Sequence, residues 1–212
     1  MRDVPYSTDI SRVPTDGDLY IFAVKDSALL DLVSRMPSNR GLWVHTAGSM
    51  DMEVFAPYTA RYGVFYPMQT FSKERETDFD DIPIFVETNH TDDTERLQKL
   101  AGRLSTKVYE ATSEQRKYLH LAAVFACNFS NHLYALCHRI LSEHGLPFET
   151  MLPLIRETAA KVADMPPAQA QTGPAIRYDK NVIDKQMALL SDPTMRQIYD
   201  LMSRSIHETN KH

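Results

Sequence analysis

The sequence predicts two halves of different class, an open parallel α/β sheet over residues 1–110 and an all-helical half over residues 111–212. Three observations carry this. Short apolar runs bounded by turn residues alternate with helical spacing up to about residue 110. From Ser113 onward only helical spacing is found. No flexible linker separates the halves, so both are expected to pack tightly.

Residues 1–17 are polar and proline-punctuated, and end on the turn signal Asp16-Gly17. Residues 18–24 (DLYIFAV) form a short apolar run of the kind a parallel strand buries on both faces. Residues 27–36 place Leu29, Leu30, Leu32 and Val33 at helical spacing and stop before Pro37. Further strands are expected at 41–45 (GLWVH), 62–66 (YGVFY), 82–87 and 107–109, with a helix at 91–104 whose first turn holds Asp92 and Asp93. Residues 113–143 read as one long helix, or one broken near its middle, ended by Gly145 and Pro147. Helices at 148–163, 181–190 and 193–209 follow, the first two separated by a Pro/Gln/Gly loop at 165–174.

Composition excludes several functions. The net charge of −5, with no basic block, argues against general nucleic-acid binding. The N-terminus has no apolar core of a signal peptide. The apolar stretch 119–141 carries His120, Asn128, Asn131, His132, His138 and Arg139, too many polar groups for a membrane span. It is therefore read as a buried core helix. Cys127 and Cys137 would lie roughly 15 Å apart along it, too far for a disulfide. Buried free thiols and a reducing cytoplasm are expected. No metal site is expected, since no paired CxxC exists and His132 and His138 fall on different helix faces.

On a helical wheel at roughly 100° per residue, Lys117, His120, Asn128 and Asn131 share one stripe. Polar groups on a buried helix need partners. Either they pair within the core or the stripe lines a cleft. In a cleft, His120 is a general acid or base, Asn128 and Asn131 orient a carbonyl, imine or carboxylate, and Lys117 neutralises an anionic group. In the loop TGPAIRYD, Arg177 offers a fork for a carboxylate or phosphate, or else a structural tie to Asp179. Ser49 sits in AGSM rather than a GxSxG elbow, so a hydrolase is disfavoured.

The segments DLYIFAVKDS, VHTAGS, YGVFYPMQTFS, EQRKYLHLAAVFACNFSNHLYAL and QTGPAIRYD together resemble a bacterial family of Rossmann-like oxidoreductases with a C-terminal helical domain of unknown function. That family is similar to pyrroline-5-carboxylate reductase, the deazaflavin-dependent NADP oxidoreductases and the 3-hydroxyacid dehydrogenases. The resemblance runs from about Pro5 to about His207. It implies a partial Rossmann-like sheet followed by a helical domain of the 6-phosphogluconate dehydrogenase C-terminal type, which forms a homodimer. It implies NADP or NAD as cofactor and a small-molecule substrate. Val24, Lys25 and Asp26, then Thr46, Ala47 and Gly48, would border the nicotinamide at the strand ends. The stretch Tyr66 to Thr70 would lie nearby, with Gln69, Thr172, Asn131 and Arg177 toward the substrate.

The seven glycines (17, 41, 48, 63, 102, 145 and 173) include no GxGxxG, so the pyrophosphate cradle of the family is not in this sequence. A truncated chain is expected rather than a natural short form, because a half-sheet leaves an unpaired apolar edge. Weak or absent cofactor binding by this chain follows. The expectation is an NAD(P)-dependent oxidoreductase; the alternative is a non-catalytic dimeric ligand-binding or scaffold protein.

Overall fold

The computed structural model describes residues 6–210. Residues 1–5 and 211–212 lie outside the described residues, and with them the start of the polar N-terminal stretch, including Pro5. The chain divides into two compact units, 1–130 and 131–212.

The first unit holds a five-stranded sheet in sequential order, β1-β2-β3-β4-β5. The strands are β1 (Leu19–Phe22), β2 (Leu42–His45), β3 (Tyr62–Pro67), β4 (Ile84–Thr88) and β5 (Val108–Glu110). β1, β2 and β3 are parallel, and helix α1 (Asp26–Ser34) makes the first crossover. A short 3-10 turn at Met52–Phe55 lies between β2 and β3. β1 is an edge strand, and Ile21 on it is exposed.

The expected all-parallel sheet needs one correction, because β4 runs antiparallel to β3. The reason lies in residues 68–83, which are polar, bounded by prolines and devoid of a helical apolar repeat. Without a crossover helix the chain returns beside β3 in the opposite sense. Helix α2 (Thr91–Ala101) then carries it to β5, which is parallel to β4.

The period-two alternation of β2 builds two cores. Leu42 and Val44 join Phe65, Ile84, Val86, Leu97 and Ala101 on the α2 side. Trp43 joins Phe22, Leu29, Val33, Phe55 and Tyr62 on the α1 side. Every residue of β2 is buried, which is why it reads as an unbroken apolar run. Its last residue, His45, is as buried as its neighbours.

Helix α3 (Ser113–Ala123) starts with a reciprocal capping box. The Gln115 amide N–H donates to Thr112 Oγ1 (3.2 Å), and the Thr112 N–H donates to Gln115 Oε1 (2.9 Å). The expected break near the middle of the long helix is a π-helical segment, Val124–Phe129. Helix α4 (Ser130–Glu143) follows and ends at Gly145 in the left-handed region (φ 68°).

The reading of residues 119–141 as a buried core helix is corrected. Neither the π segment nor α4 contains a buried residue. Leu121 is 52% exposed, Phe125 63% and Phe129 51%. Cys127 is exposed and Cys137 half-buried, so both are free thiols but neither is buried. The physical reason is geometric, since a single chain has too few elements to surround so apolar a helix.

The remaining helices of the second unit are α5 (Leu152–Asp164), α6 (Pro167–Ala170), α7 (Lys180–Ala188) and α8 (Pro193–Thr209). α6 falls where a loop was expected, at the Pro166-Pro167 pair, whose second ring presets the first helical turn. Leu133, Leu136, Ile140, Leu190, Met195 and Met202 line an open apolar cavity of about 410 Å³ in this unit. Among the described residues, no helix is long and apolar enough to cross a membrane.

Candidate functional site

Three neighbouring elements of the first unit bring chemistry-bearing side chains together: the loop after β2, the end of β3, and α3. The loop is organised by His45. This ring is fully buried against Phe55, 5.6 Å between centroids. Its Nδ1 accepts from the Ala47 amide (3.2 Å). That fixes the proton on Nε2, which lies 3.4 Å from the Asp51 carbonyl oxygen. Burial, reinforced by the nearby Arg116 cation, lowers the His45 pKa to about 4. The ring is therefore neutral, with both nitrogens spent on holding its own loop.

Later residues of the loop reach α1 and the first turn of α3. Ser49 Oγ donates to Asp26 at the start of α1, with 2.5 Å between the oxygens. The Met50 carbonyl accepts from Arg116 Nη2. The Met52 N–H donates to Ser113 Oγ (3.2 Å). Arg116 is completely buried, and its Nη1 donates to Glu87 Oε2 of β4 at 2.7 Å. Glu87 also accepts from the Ser113 N–H (2.8 Å) and hydroxyl (2.7 Å). A buried ion pair with these auxiliary hydrogen bonds thus joins loop, strand and helix start.

Beside this network Tyr66 and His120 meet. Tyr66 Oη at the end of β3 is 3.4 Å from His120 Nδ1 on α3. The Tyr66 ring is buried (9% exposed) and packs 6.4 Å from Phe85, which stacks on Tyr109 at 5.5 Å. Burial raises the phenol's pKa, the Arg116 cation works against that, and the Cys127 thiol adds to it. His120 itself is exposed.

Gly48 completes the group. A Cβ there would stand 2.8 Å from both His120 Nδ1 and Tyr66 Cζ. Only glycine lets the loop approach the pair so closely. Gly48→Ala is expected to push the exposed His120 away while costing roughly 1 kcal/mol of stability. Loss of the Tyr66–His120 ring contacts in an NMR NOE spectrum would show this; retained contacts would refute it.

Several sequence candidates occupy other surroundings. Lys117 Nζ lies 3.9 Å from Asp51 and 3.6 Å from Glu114, so its charge is shared with two carboxylates. Val24 and Lys25 are exposed at the start of α1, and Thr46 and Ala47 are half-buried in the loop after β2. Gln69 is exposed, and its Oε1 accepts from the Thr70 N–H (2.8 Å). Asn128 is exposed within the π segment. An i→i+5 turn admits an extra residue, so positions beyond Val124 no longer follow the 100° increment that put Asn128 and Asn131 with His120.

Asn131, Thr172 and Arg177 belong to the second unit, and all three are exposed. The proposed Arg177–Asp179 tie is not formed, because the Asp179 carboxylate instead caps α7 at the Val182 N–H. Their loop is held by His207, whose Nδ1 lies 2.9 Å from the Ile176 carbonyl oxygen, with Tyr178 packed on the same ring. Tyr178 adopts a left-handed backbone (φ 49°).

Sequence reasoning missed two residues that shape the site. A buried arginine runs against the usual exposure of that residue type, so Arg116 gave no signal. Glu87 sits near a strand end, where nothing local marks a buried polar side chain. His45, read as the strand end that opens the stretch beside the nicotinamide, is buried and holds its own loop.

The comparisons follow the same lines. The domain of unknown function DUF2520 matches over residues 82–206. A provisionally named NADP oxidoreductase of Bacteroides fragilis is 53% identical, with 96% of this chain and 80% of that chain covered and a TM-score of 0.88. A reductive aminase of Aspergillus terreus, solved with NADPH and ethyl levulinate, is 14% identical (91% and 75% covered; TM-score 0.67). An imine reductase of Myxococcus stipitatus, solved with NADP+, is 17% identical (92% and 75% covered; TM-score 0.60). At those identities the last two show the fold alone. No curated protein matches the sequence significantly.

Proposed function

The chain belongs to the DUF2520 family, and from that membership we propose that it acts in an NADP-dependent oxidoreductase reaction on a small carbonyl, imine or hydroxy-acid compound. The observation that carries this reading is the Tyr66–His120 pair beside Gly48, at the carboxyl ends of parallel strands. Open α/β sheets bind their ligands at that end.

The residues present fit the nicotinamide end of the cofactor. Val24, Lys25 and Asp26 follow β1, and Thr46, Ala47 and Gly48 follow β2. Gly48 lets the loop lie against Tyr66 and His120 where a Cβ would clash, and no side chain caps the amino end of α1. The pyrophosphate is a different matter, since no two of the seven glycines have the spacing of a phosphate loop. When bound, the cofactor supplies hydride to the substrate carbon. His120, in contact with solvent, manages the proton. Lys117, Asn128, Asn131, Gln69, Thr172 and Arg177 are proposed for substrate contacts.

We also propose a homodimer through the helical half and a cytoplasmic site of action. The support for the dimer is the exposed apolar side chains, Leu121, Phe125 and Phe129 in the first unit and, by themselves, Leu133 and Ile140 in the second. Clustered apolar exposure of this kind marks interaction surfaces. Light scattering on a size-exclusion column is expected to give twice the 24.2 kDa chain mass; a clean monomer would sink the dimer.

The functional reading is tested by titrating NADPH and NADH against intrinsic fluorescence. Both this chain and any longer form encoded upstream of Met1 should be measured. Saturable quenching with either form supports the reading. Absence of binding by both would overturn it.

A further inference from the structure

We propose that Tyr66 is the catalytic proton donor of this site, and that His120 is the group that reloads it. The proposal rests on the oxidoreductase reading above and assigns one step of it to particular atoms.

The geometry favours Tyr66 over every other candidate for the last proton transfer. Its hydroxyl meets both Gly48 and His120: the Gly48 Cβ position lies 2.9 Å from Oη, and His120 Nδ1 lies 3.4 Å from it. Its ring is fixed by the sheet, buried at the end of β3 and packed on Phe85. Lys117 is engaged by Asp51 and Glu114. His45 has both ring nitrogens committed to its own loop. His120 is exposed and stands between Tyr66 and water, the position of a relay.

The charges around the phenol suit a donor that must be reprotonated. Burial keeps the hydroxyl protonated at neutral pH. The buried Arg116 guanidinium acts in the opposite sense and stabilises the phenolate once it forms. The Cys127 thiol, the third titratable neighbour, favours the neutral phenol.

The step balances as follows. Bound NADPH would be the hydride source for the carbonyl or imine carbon, with NADP+ as its oxidised product. The electron pair of the C=O or C=N bond moves to its heteroatom. The Tyr66 O–H bond breaks and its proton goes to that heteroatom, leaving a phenolate. The phenolate takes the Nδ1 proton of a His120 imidazolium. Neutral His120 then regains a proton from solvent.

The test uses Tyr66→Phe, which keeps the packed ring and removes only the hydroxyl. Two readouts are needed, on whichever form of the protein binds NADPH. The first is the 15N NMR spectrum of the His120 ring. With Tyr66 donating to Nδ1, neutral His120 carries its proton on Nε2, and Tyr66→Phe is expected to release that preference. The second is NADPH-dependent reduction of ethyl levulinate. Turnover is expected to fall by roughly 100-fold or more, the usual share of a positioned acid, with NADPH affinity changed less than about twofold. His120→Gln is expected to lower turnover less and to alter its pH profile, as loss of a relay should.

Binding of NADPH with full turnover in Tyr66→Phe would overturn the donor role and leave the oxidoreductase reading intact. Absence of NADPH binding in the wild type would overturn both. If NADPH binds and ethyl levulinate is not reduced, the NMR readout decides, because an unchanged His120 ring in Tyr66→Phe overturns the pairing.

Discussion

Arg116→Leu is expected to destabilise the first unit by about 3–5 kcal/mol, the cost of leaving one member of a buried ion pair alone. Three losses coincide at this residue. Glu87, only 14% exposed, keeps its charge without the guanidinium. The Met50 carbonyl and Ser113 hydroxyl each lose a donor. Arg116 already carries one unsatisfied group, since its buried Nε has no protein partner, so the site is not optimised for stability alone. Replacing both partners should be milder than replacing one. Arg116→Leu with Glu87→Leu is expected to recover more than half of the loss, as apolar pairs of similar volume do. Urea denaturation of the two singles and the double closes the cycle. A single variant within about 1 kcal/mol of wild type would show that the pair contributes little.

Acid is expected to weaken the fold well before its carboxylates titrate. The folded-state pKa of His45 is lowered to about 4 from an ordinary 6.5. A depressed histidine pKa means the unfolded chain binds the proton more readily. The stabilisation is therefore complete above pH 6.5 and is lost as pH falls toward 4. The shift corresponds to about 3 kcal/mol across that window. A second acid limb lies lower. Asp93 is held below its ordinary value of 3.8 by hydrogen bonds from Arg61. Its contribution is present above pH 3.8 and disappears only as pH drops further. Urea midpoints from pH 7 down to about 2.5 separate the limbs. His45→Gln is expected to flatten the upper one and leave the lower one in place. An equally steep upper limb in the variant would assign it to another group.

What was legible in the sequence follows from how local each cause is. β2 and β3 were read within a residue or two, because strands buried on both faces leave unbroken apolar runs. The start of α3 was read at Ser113 and the end of α4 from Gly145, since capping signals reach only a few residues. The antiparallel turn of β4 was missed because it depends on the absence of a crossover helix, a topological fact. A break near the middle of the long helix was expected but not its π form, because VFACNF contains no proline or glycine to mark a widened turn. His120 was found as a polar residue on an apolar helix. Tyr66 was placed nearby only through the resemblance, and its pairing with His120 was not seen, because the two are 54 residues apart and tyrosines at strand ends are ordinary core residues.

The wiring of the loop after β2 also bears on how the protein breathes. Its carbonyl, amide and hydroxyl groups are tied to α1 and to the first turn of α3. The ties of Met50 and Met52 to α3 do not open without stranding a buried group of Arg116 or Ser113. The amides of Ala47 and Met52 should therefore exchange with solvent deuterium together with those of Ser113 and Arg116, as one cooperative foldon. Gly48 rides on that foldon, so local fraying does not loosen its close approach to Tyr66 and His120. Motion at this point falls to rotamer jumps of exposed side chains such as His120, on far shorter timescales than the opening of the loop itself.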